Sequence, residues 1–395
     1  MDLVKQMFHE MFKQPNQPIQ IEYWDGQQVT YGVGVPKVSV RFAERLHELD
    51  LWLHPDITLG EAYMDEKVVL IRGDLADLLA AMPPLAEPIW LSSMHHMNQT
   101  MRRSFMPLMQ MNKQYVQHHY DIGNSFFRLW LDETMSYSCA YFQTEEDSLD
   151  TAQQQKINHI LKKLQLQRGE SLLDIGCGWG SLIVTAAQVY GVKATGITLS
   201  EEQYEFVIER IRQLHLEGQV TVQLKDYIEL AKENKKFDKI VTVGMAEHVG
   251  QSNLTGYYKA ISDLLLPGGL ALVHHITQKK ERDNNPWIEK YIFPGGYIPS
   301  LREAIHHLSE YDLEVLDVEN LREHYAKTLR AWRGRFEEKE SDVREMFDDR
   351  FIRMWRLYLV SSAASFDRGD NALHQILVGK NRHNQPLTRA YMYTT

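Results

Sequence analysis

The chain has 395 residues, 44% hydrophobic and 24% charged, an ordinary folded composition that argues against wholesale disorder and suggests two or three domains. Its net charge of −10 argues against a protein that coats nucleic acid, and two cysteines are too few for a disulfide framework. Without a signal-peptide core at its start or a run of about eighteen apolar residues, the expectation is a cytoplasmic protein that spans no membrane.

Residues 1–92 read as a small α+β unit. PIQIEYWDGQQVTYGVG alternates around Asp25-Gly26 and predicts a hairpin, and Lys37–Phe42 predicts another strand. Leu46, Leu49 and Leu53 space a helix over 43–53, and GDLADLLAAM one over 73–82, stopped by Pro83-Pro84. Residues 93–113 hold six of the sixteen methionines, with Arg102, Arg103 and Lys113 and no acid. Met94, Met97 and Met101 can share a helix face, which Pro107 cuts short. Two readings stand: a linker helix packed on a core, or a basic, adaptable surface for lipid or a partner.

From residue 114 strand and helix patterns alternate. Strands are expected at 171–176, 192–199, 219–226, 239–245, 270–276, 313–320 and 373–380. Strands separated by helices imply an α/β fold with a mostly parallel seven-stranded sheet. A helical insertion interrupts it at about 321–370.

DIGCGWG (174–180) puts glycines right after the first of these strands, where the backbone must turn tightly and approach a ligand. The spacing is G-x-G-x-G, not the dinucleotide pattern, and NAD, FAD or a bare structural turn remain as alternatives. Polar residues stand at the next strand ends: Thr198-Leu199-Ser200 with Gln203, Asp226-Tyr227, and Glu247-His248. Ser200 and Gln203 also fit a capping box. No phosphate loop of the G-x-x-x-x-G-K-[ST] type is present. The arrangement resembles the S-adenosylmethionine-dependent methyltransferases, although Thr198, Ser200 and Gln203 stand where their ribose-binding acid is usual.

A longer ordered set sharpens the resemblance: HHYDIGNSFFRLWLD (118–132), MSYSCAYF (135–142), GITLSEEQ (196–203), VGMAEHVG (243–250), HHITQ (274–278), WIEKYIFPGGYIPS (287–300), HYAKTLRAW (324–332) and FIRMWRLYL (351–359). It resembles the cyclopropane-fatty-acyl-phospholipid synthases, densely over 115–380. LGEAYMD (59–65) looks like part of their accessory domain. The division expected is an accessory domain at 1–92, a linker at 93–113 and a Rossmann-like class I methyltransferase domain at 114–395.

The resemblance implies methyl transfer from S-adenosylmethionine to a cis double bond of an unsaturated phospholipid acyl chain, then proton loss and ring closure. It implies a cofactor site of Tyr137, Ser138, Gly176, Gly178, Gly180, Thr198, Leu199, Ser200 and Gln203, with Asp226 and Tyr227 near the adenine. It further implies a bicarbonate ion held by Cys139, Glu247, His274, Tyr325 and the backbone of Ile276. Reversible contact with the inner membrane surface and a homodimer are expected, with no metal and no nucleic acid.

Structural alternatives accompany these assignments. Cys139 could be a small buried residue, Tyr325 an ordinary helix-start aromatic, and Cys177 simple packing. His248 reads as structural. His274 and His275 alternate faces, so only one can point at the site. Trp332, Phe336, Met354, Trp355 and Tyr358 could wall a dry acyl pocket or form a helical core stripe. Two other functions stay open: methylation of acyl chains or small amines without ring closure, and a non-enzymatic lipid-binding protein.

Overall fold

The computed structural model describes residues 2–82, 122–381 and 385–393. The Met-rich stretch 93–113 lies outside them. The chain divides into two units.

The first unit carries a four-stranded sheet in the order β2-β1-β3-β4, from β1 (Ile19–Glu22), β2 (Gln28–Tyr31), β3 (Val38–Phe42) and β4 (Val68–Arg72). β1 and β2 form the expected hairpin, with the Tyr23 N–H donating to Gln27 O and the Gly26 N–H to Tyr23 O, both at 2.8 Å. β3 runs parallel to β1, and β4 antiparallel to β3. The helix expected over 43–53 covers only Glu48–Leu53, and Pro55 starts a second, Pro55–Met64. Its buried leucine is Leu51, while Leu49 is 52% exposed, so the expected leucine face is corrected. Val4, Phe8, Ile21, Tyr23, Val40 and Phe42 belong to this unit's core.

The same unit takes in Asn284–Pro294 and Glu337–Ser365, so its grouping crosses the contiguous division read from the sequence. The reason is local. Gly60 lets Trp287 lie directly on its helix: a Cβ there would come within 2.4 Å of the Trp287 ring. Glu61 pairs with Lys290 at 2.5 Å and accepts from the Tyr291 hydroxyl at 2.6 Å. Arg350 reaches Asp65 at 2.7 Å, and Arg353 pairs with Glu66.

The second unit is built on a seven-stranded sheet: β5 (Ser171–Ile175), β6 (Lys193–Thr198), β7 (Val220–Leu224), β8 (Phe237–Val243), β9 (Leu265–Gln278), β10 (Leu313–Asn320) and β11 (Asn371–Lys380). Their order is β10-β11-β9-β8-β5-β6-β7. Neighbours are parallel except at β11, which runs antiparallel to both β9 and β10. The inner strands β5, β6, β8, β9 and β11 are largely buried on both faces, as a sheet covered by helices requires, while the edge strands β7 and β10 expose part of theirs. Leu172, Val241, Leu272 and Leu377 enter one core, while Leu173, Ile240, Val273 and Ile376 enter the other. From β5 the order runs outward through β6 and β7 on one side and through β8 and β9 on the other. That reversal opens a crevice at the carboxyl ends of β5 and β8. Among the described residues no helix is long and apolar enough to cross a membrane.

Candidate active site

The glycine turn after β5 sits at that crevice. Gly176, Gly178 and Gly180 take φ of 80°, 53° and 80°, a left-handed path that side chains disfavour. The N–H groups of Gly176 and Cys177 both donate to Ile197 O at 3.0 Å, tying the turn to β6. A Cβ on Gly178 would meet nothing within 4 Å, so the turn leaves room for a ligand there. Cys177 packs against Gly196 of β6, and burial pushes its thiol well up, as suits a packing residue.

A cleft opens beside the turn. Of the cofactor candidates, Tyr137, Ser138, Gly176, Gly178, Thr198, Leu199, Gln203, Asp226 and Tyr227 line it. Gly180 and Ser200 do not line it; each caps a helix. The Ser200 hydroxyl accepts from the Gln203 N–H at 3.3 Å. The Gln203 side chain lies 2.8 Å from Thr198 Oγ1, instead of closing the reciprocal bond of a capping box. Asp226 caps the helix Tyr227–Lys232 by accepting from the Ile228 N–H at 2.7 Å.

The other five candidates do not line the cleft, but their chain neighbours Ser138 and His248 do. Glu247 follows β8, and its Oε1 accepts from the Ile276 N–H on β9 at 2.6 Å. Its Oε2 is sealed without a partner, and burial raises the carboxyl to about 7. His274, 1% exposed, lies two residues before Ile276 on the same strand face. Its Nδ1 is 3.2 Å from Gln375 Nε2, its Nε2 is buried without a partner, and burial holds the ring well below the usual histidine range. His275 points the other way: its Nδ1 lies 2.7 Å from Ile276 O and its Nε2 3.3 Å from the Tyr258 hydroxyl.

Cys139 is fully buried, with its Sγ 3.9 Å from Leu321 O, and burial pushes the thiol up so that it stays protonated. The Tyr325 N–H donates to the same Leu321 O at 3.1 Å. The Leu321 N–H donates to Leu373 O at 2.7 Å, and Leu373 is the register partner of Ile276. Residues scattered from 139 to 325 in the chain thus converge on one stretch of the β9–β11 ladder.

Residues 109–376 match the family model described as mycolic acid cyclopropane synthetase. The chain belongs to the cyclopropane synthase family. It is therefore an S-adenosylmethionine-dependent methyltransferase, and the expected seven-stranded class I fold is the one observed. A probable fatty acid methyltransferase of Pseudomonas putida is 37% identical over 387 residues, covering 95% of this chain and 96% of that protein. A cyclopropane-fatty-acyl-phospholipid synthase of Escherichia coli is 38% identical, covering 82% of this chain and 84% of its own. The solved cyclopropane synthase MmaA2 of Mycobacterium tuberculosis superposes with a TM-score of 0.65 at 31% identity, covering 68% of this chain and 98% of that one. Residues 3–89 match a second model, described as a domain of unknown function.

Against this family frame, several cleft residues escaped sequence reading. Lys156, Asp174, Trp179 and His248 all line it. Asp174 stood inside the glycine motif, a carboxylate in an apolar strand, which was the available signal. His248, read as structural, lines the cleft, and burial lowers it to about 4.

The aromatic insertion residues divide between the units. Trp332 and Phe336 are fully buried. Trp332 contacts the rings of Tyr137 at 5.2 Å, Trp130 at 5.7 Å and Tyr325 at 6.0 Å, joining a cleft residue to Tyr325. Met354, Trp355 and Tyr358 belong to the first unit, where Trp355 stacks on Phe351 and Tyr358 meets Phe293.

Proposed function

We propose that the chain adds the methyl group of S-adenosylmethionine to a cis double bond in the acyl chain of a membrane phospholipid and closes a cyclopropane ring, releasing S-adenosylhomocysteine. The observation that carries this reading is the pair of sealed, unpartnered polar atoms, Glu247 Oε2 and His274 Nε2. A cofactor cleft serves any methyl transfer. A buried set of proton-handling groups is needed where a carbon must also lose a proton.

S-adenosylmethionine supplies an electrophilic methyl group when bound; Tyr137, Ser138, Thr198, Leu199, Gln203 and the glycine turn would hold it, with Asp226 and Tyr227 toward the adenine. An isolated alkene is a weak nucleophile, so the chain's main task is to hold the reactants in contact. Carbon–carbon bond formation leaves positive charge on the acyl chain, which water would capture as an alcohol. Trp130, Trp332 and Phe336, all fully buried, supply a dry wall. Ring closure then moves the electrons of a C–H bond of the added carbon into the new ring bond, and a base takes the proton.

The donor set fits a bicarbonate ion as that base. Cys139 S–H, Tyr325 O–H and His274 Nε2–H would donate to it, and Glu247 would accept from it. The Ile276 N–H is engaged by Glu247, so its part is to orient that carboxylate. Bicarbonate supplies a proton acceptor when bound.

Such a substrate lies in a bilayer, so the reading entails reversible contact at its cytoplasmic face, and a homodimer would bring two sites to one surface. The relative in Pseudomonas putida, a probable fatty acid methyltransferase, favours a second reading in which the product is a methyl-branched chain. Purified protein with unsaturated phospholipid vesicles, bicarbonate and labelled S-adenosylmethionine decides. Mass spectrometry is expected to find label in cyclopropane acyl chains. Label in methyl-branched chains selects the second reading, and an unlabelled lipid fraction rejects both.

A further inference from the structure

One stretch of chain serves both halves of the site. Met135, Ser136, Tyr137 and Ser138 line the cleft, and Cys139 follows directly. The stretch 131–140 is neither helix nor strand, so its buried backbone groups need partners from elsewhere. Asp132, 2% exposed and outside the cleft lining, supplies them. Its Oδ2 accepts from the Thr134 N–H at 2.8 Å and from the Thr134 hydroxyl, and its Oδ1 accepts from the Ser136 N–H at 2.8 Å. The Asp132 carbonyl accepts from the Met135 N–H at 2.9 Å. Met135 has φ of 60°, a left-handed conformation that such a residue keeps only where its surroundings impose it.

The strap that Asp132 shapes is tied to the glycine turn. The Ser181 hydroxyl, just past the glycines, donates to Thr134 O. Arg210, on the helix Glu201–Gln213, donates to Ser181 Oγ at 2.8 Å and to Trp179 O at 3.2 Å. Further along, Gln153 of the helix Leu149–Lys163 donates from Nε2 to Ser136 O at 3.3 Å and to Ser138 O at 2.8 Å. The Ser181 and Gln153 bonds meet the strap at backbone carbonyls between Thr134 and Ser138, so they depend on the path that Asp132 imposes there. A change in that path moves Tyr137 and Ser138 against the glycine turn and carries Cys139 with them.

We propose that Asp132 is a positioning residue for the reaction: through the strap it sets Tyr137 and Ser138 against the glycine turn, and Cys139 against the rest of the base cluster. The effect on the cofactor rests only on the methyltransferase assignment of the cleft; the effect at Cys139 rests on the ring closure proposed above. An acid kept for stability alone would change neither cofactor affinity nor product in a folded variant.

Calorimetric titration of the full chain with S-adenosylhomocysteine, together with the vesicle assay, tests this. Asp132→Asn keeps the side chain's size and one acceptor oxygen but turns an amide N–H toward one of the two backbone donors. The folded variant is expected to bind S-adenosylhomocysteine about tenfold more weakly, the scale of a buried donor left unsatisfied. At saturating cofactor its turnover on lipid is expected to fall by about tenfold again, and the share of label in uncyclised, methyl-branched chains to rise. Thr134→Val removes only the hydroxyl and leaves both backbone donors on the carboxylate, so it should stay within about threefold on both counts. A folded Asp132→Asn with affinity and saturated turnover within about twofold of the unaltered chain overturns the proposal. So does a Thr134→Val as impaired as Asp132→Asn. Hydrogen exchange in the unaltered chain decides even where the asparagine variant fails to fold. S-adenosylhomocysteine, by favouring the ordered strap, is expected to slow exchange at the Thr134 and Ser136 amides, and unchanged rates there overturn the proposal. An unaltered chain without lipid turnover, alongside the expected affinity loss in Asp132→Asn, would remove the acyl-chain reading and leave the positioning of the cofactor standing.

Discussion

Gln375 and His274 face each other across the β9–β11 ladder, with Gln375 Nε2 3.2 Å from His274 Nδ1. With the amide nitrogen donating, Nδ1 accepts and the ring proton sits on Nε2, the atom without a partner. Gln375 is thus a positioning residue that selects the histidine tautomer. Gln375→Leu is expected to lower turnover about tenfold to a hundredfold, the scale for orienting partners of site histidines, while S-adenosylhomocysteine affinity holds within about twofold. Nitrogen NMR of the unaltered chain should show His274 protonated at Nε2. A proton found at Nδ1 would reverse the donor and acceptor roles and sink the tautomer argument.

Glu247 holds the Ile276 N–H with one oxygen and presents the other, buried and unpartnered. Burial raises its carboxyl to about 7, so it is neutral below that pH and becomes an acceptor above it. Turnover is therefore expected to rise through about pH 7 in the unaltered chain. Glu247→Ala should cost about a hundredfold or more in turnover, with cofactor affinity nearly unchanged. Glu247→Gln, which keeps the hydrogen bond to Ile276, should flatten the rise. Equal losses of turnover and cofactor affinity would reassign Glu247 to the cofactor.

The Cys139 loop is clamped to the helix Arg322–Glu338 by two backbone donors. The Ala140 N–H donates to Thr328 Oγ1 and the Phe142 N–H to His324 Nδ1, each at 3.0 Å. Thr328 is fully buried, so Thr328→Val leaves the Ala140 N–H without its acceptor at nearly unchanged volume. The expected cost is about 1–3 kcal/mol of stability, read by urea unfolding, with a further loss of turnover as Cys139 shifts relative to Tyr325. Thr328→Ser, which keeps the hydroxyl, should recover most of both. A serine variant as impaired as the valine one would place the effect in packing.

The seven strands of the larger sheet were legible because each is a short apolar run closed by a turn, and the cleft because polar residues stand at successive strand ends. What escaped were polar residues turned inward. Periodicity treats Gln153, Lys156 and Gln375 as solvent-facing, yet each is at most 4% exposed. Their partners lie on other elements, and nothing in local spacing marks them. β4 was missed because VVLIR lacks a clean alternation, and its outer residues are exposed. The seating of Trp287 on Gly60 joins distant parts of the chain, so LGEAYMD was recognisable only by resemblance.

Acid lability should follow from the buried histidines. His274, His275 and His374 are at most 7% exposed, and burial holds each below the ordinary value of 6.5, His275 and His374 at about 4. As pH falls from 6.5 toward 4, the unfolded chain takes up protons that the folded chain refuses, so these groups withdraw stability, each by about 1.4 kcal/mol per pH unit at most. Asp174 and Glu247 act oppositely. Their raised carboxyls keep protons between about 4.5 and 7 that the unfolded chain releases, so acidification returns stability through them. The sign of each contribution can be separated by calorimetric melting at pH 7 and pH 5. His275→Gln should narrow the difference between the two melting temperatures in the acid-sensitive direction, and Glu247→Gln should widen it. A His275→Gln variant that loses as much on acidification as the unaltered chain would show that this histidine is protonated in the fold. The ring would then donate to both Ile276 O and the Tyr258 hydroxyl, instead of accepting from the latter.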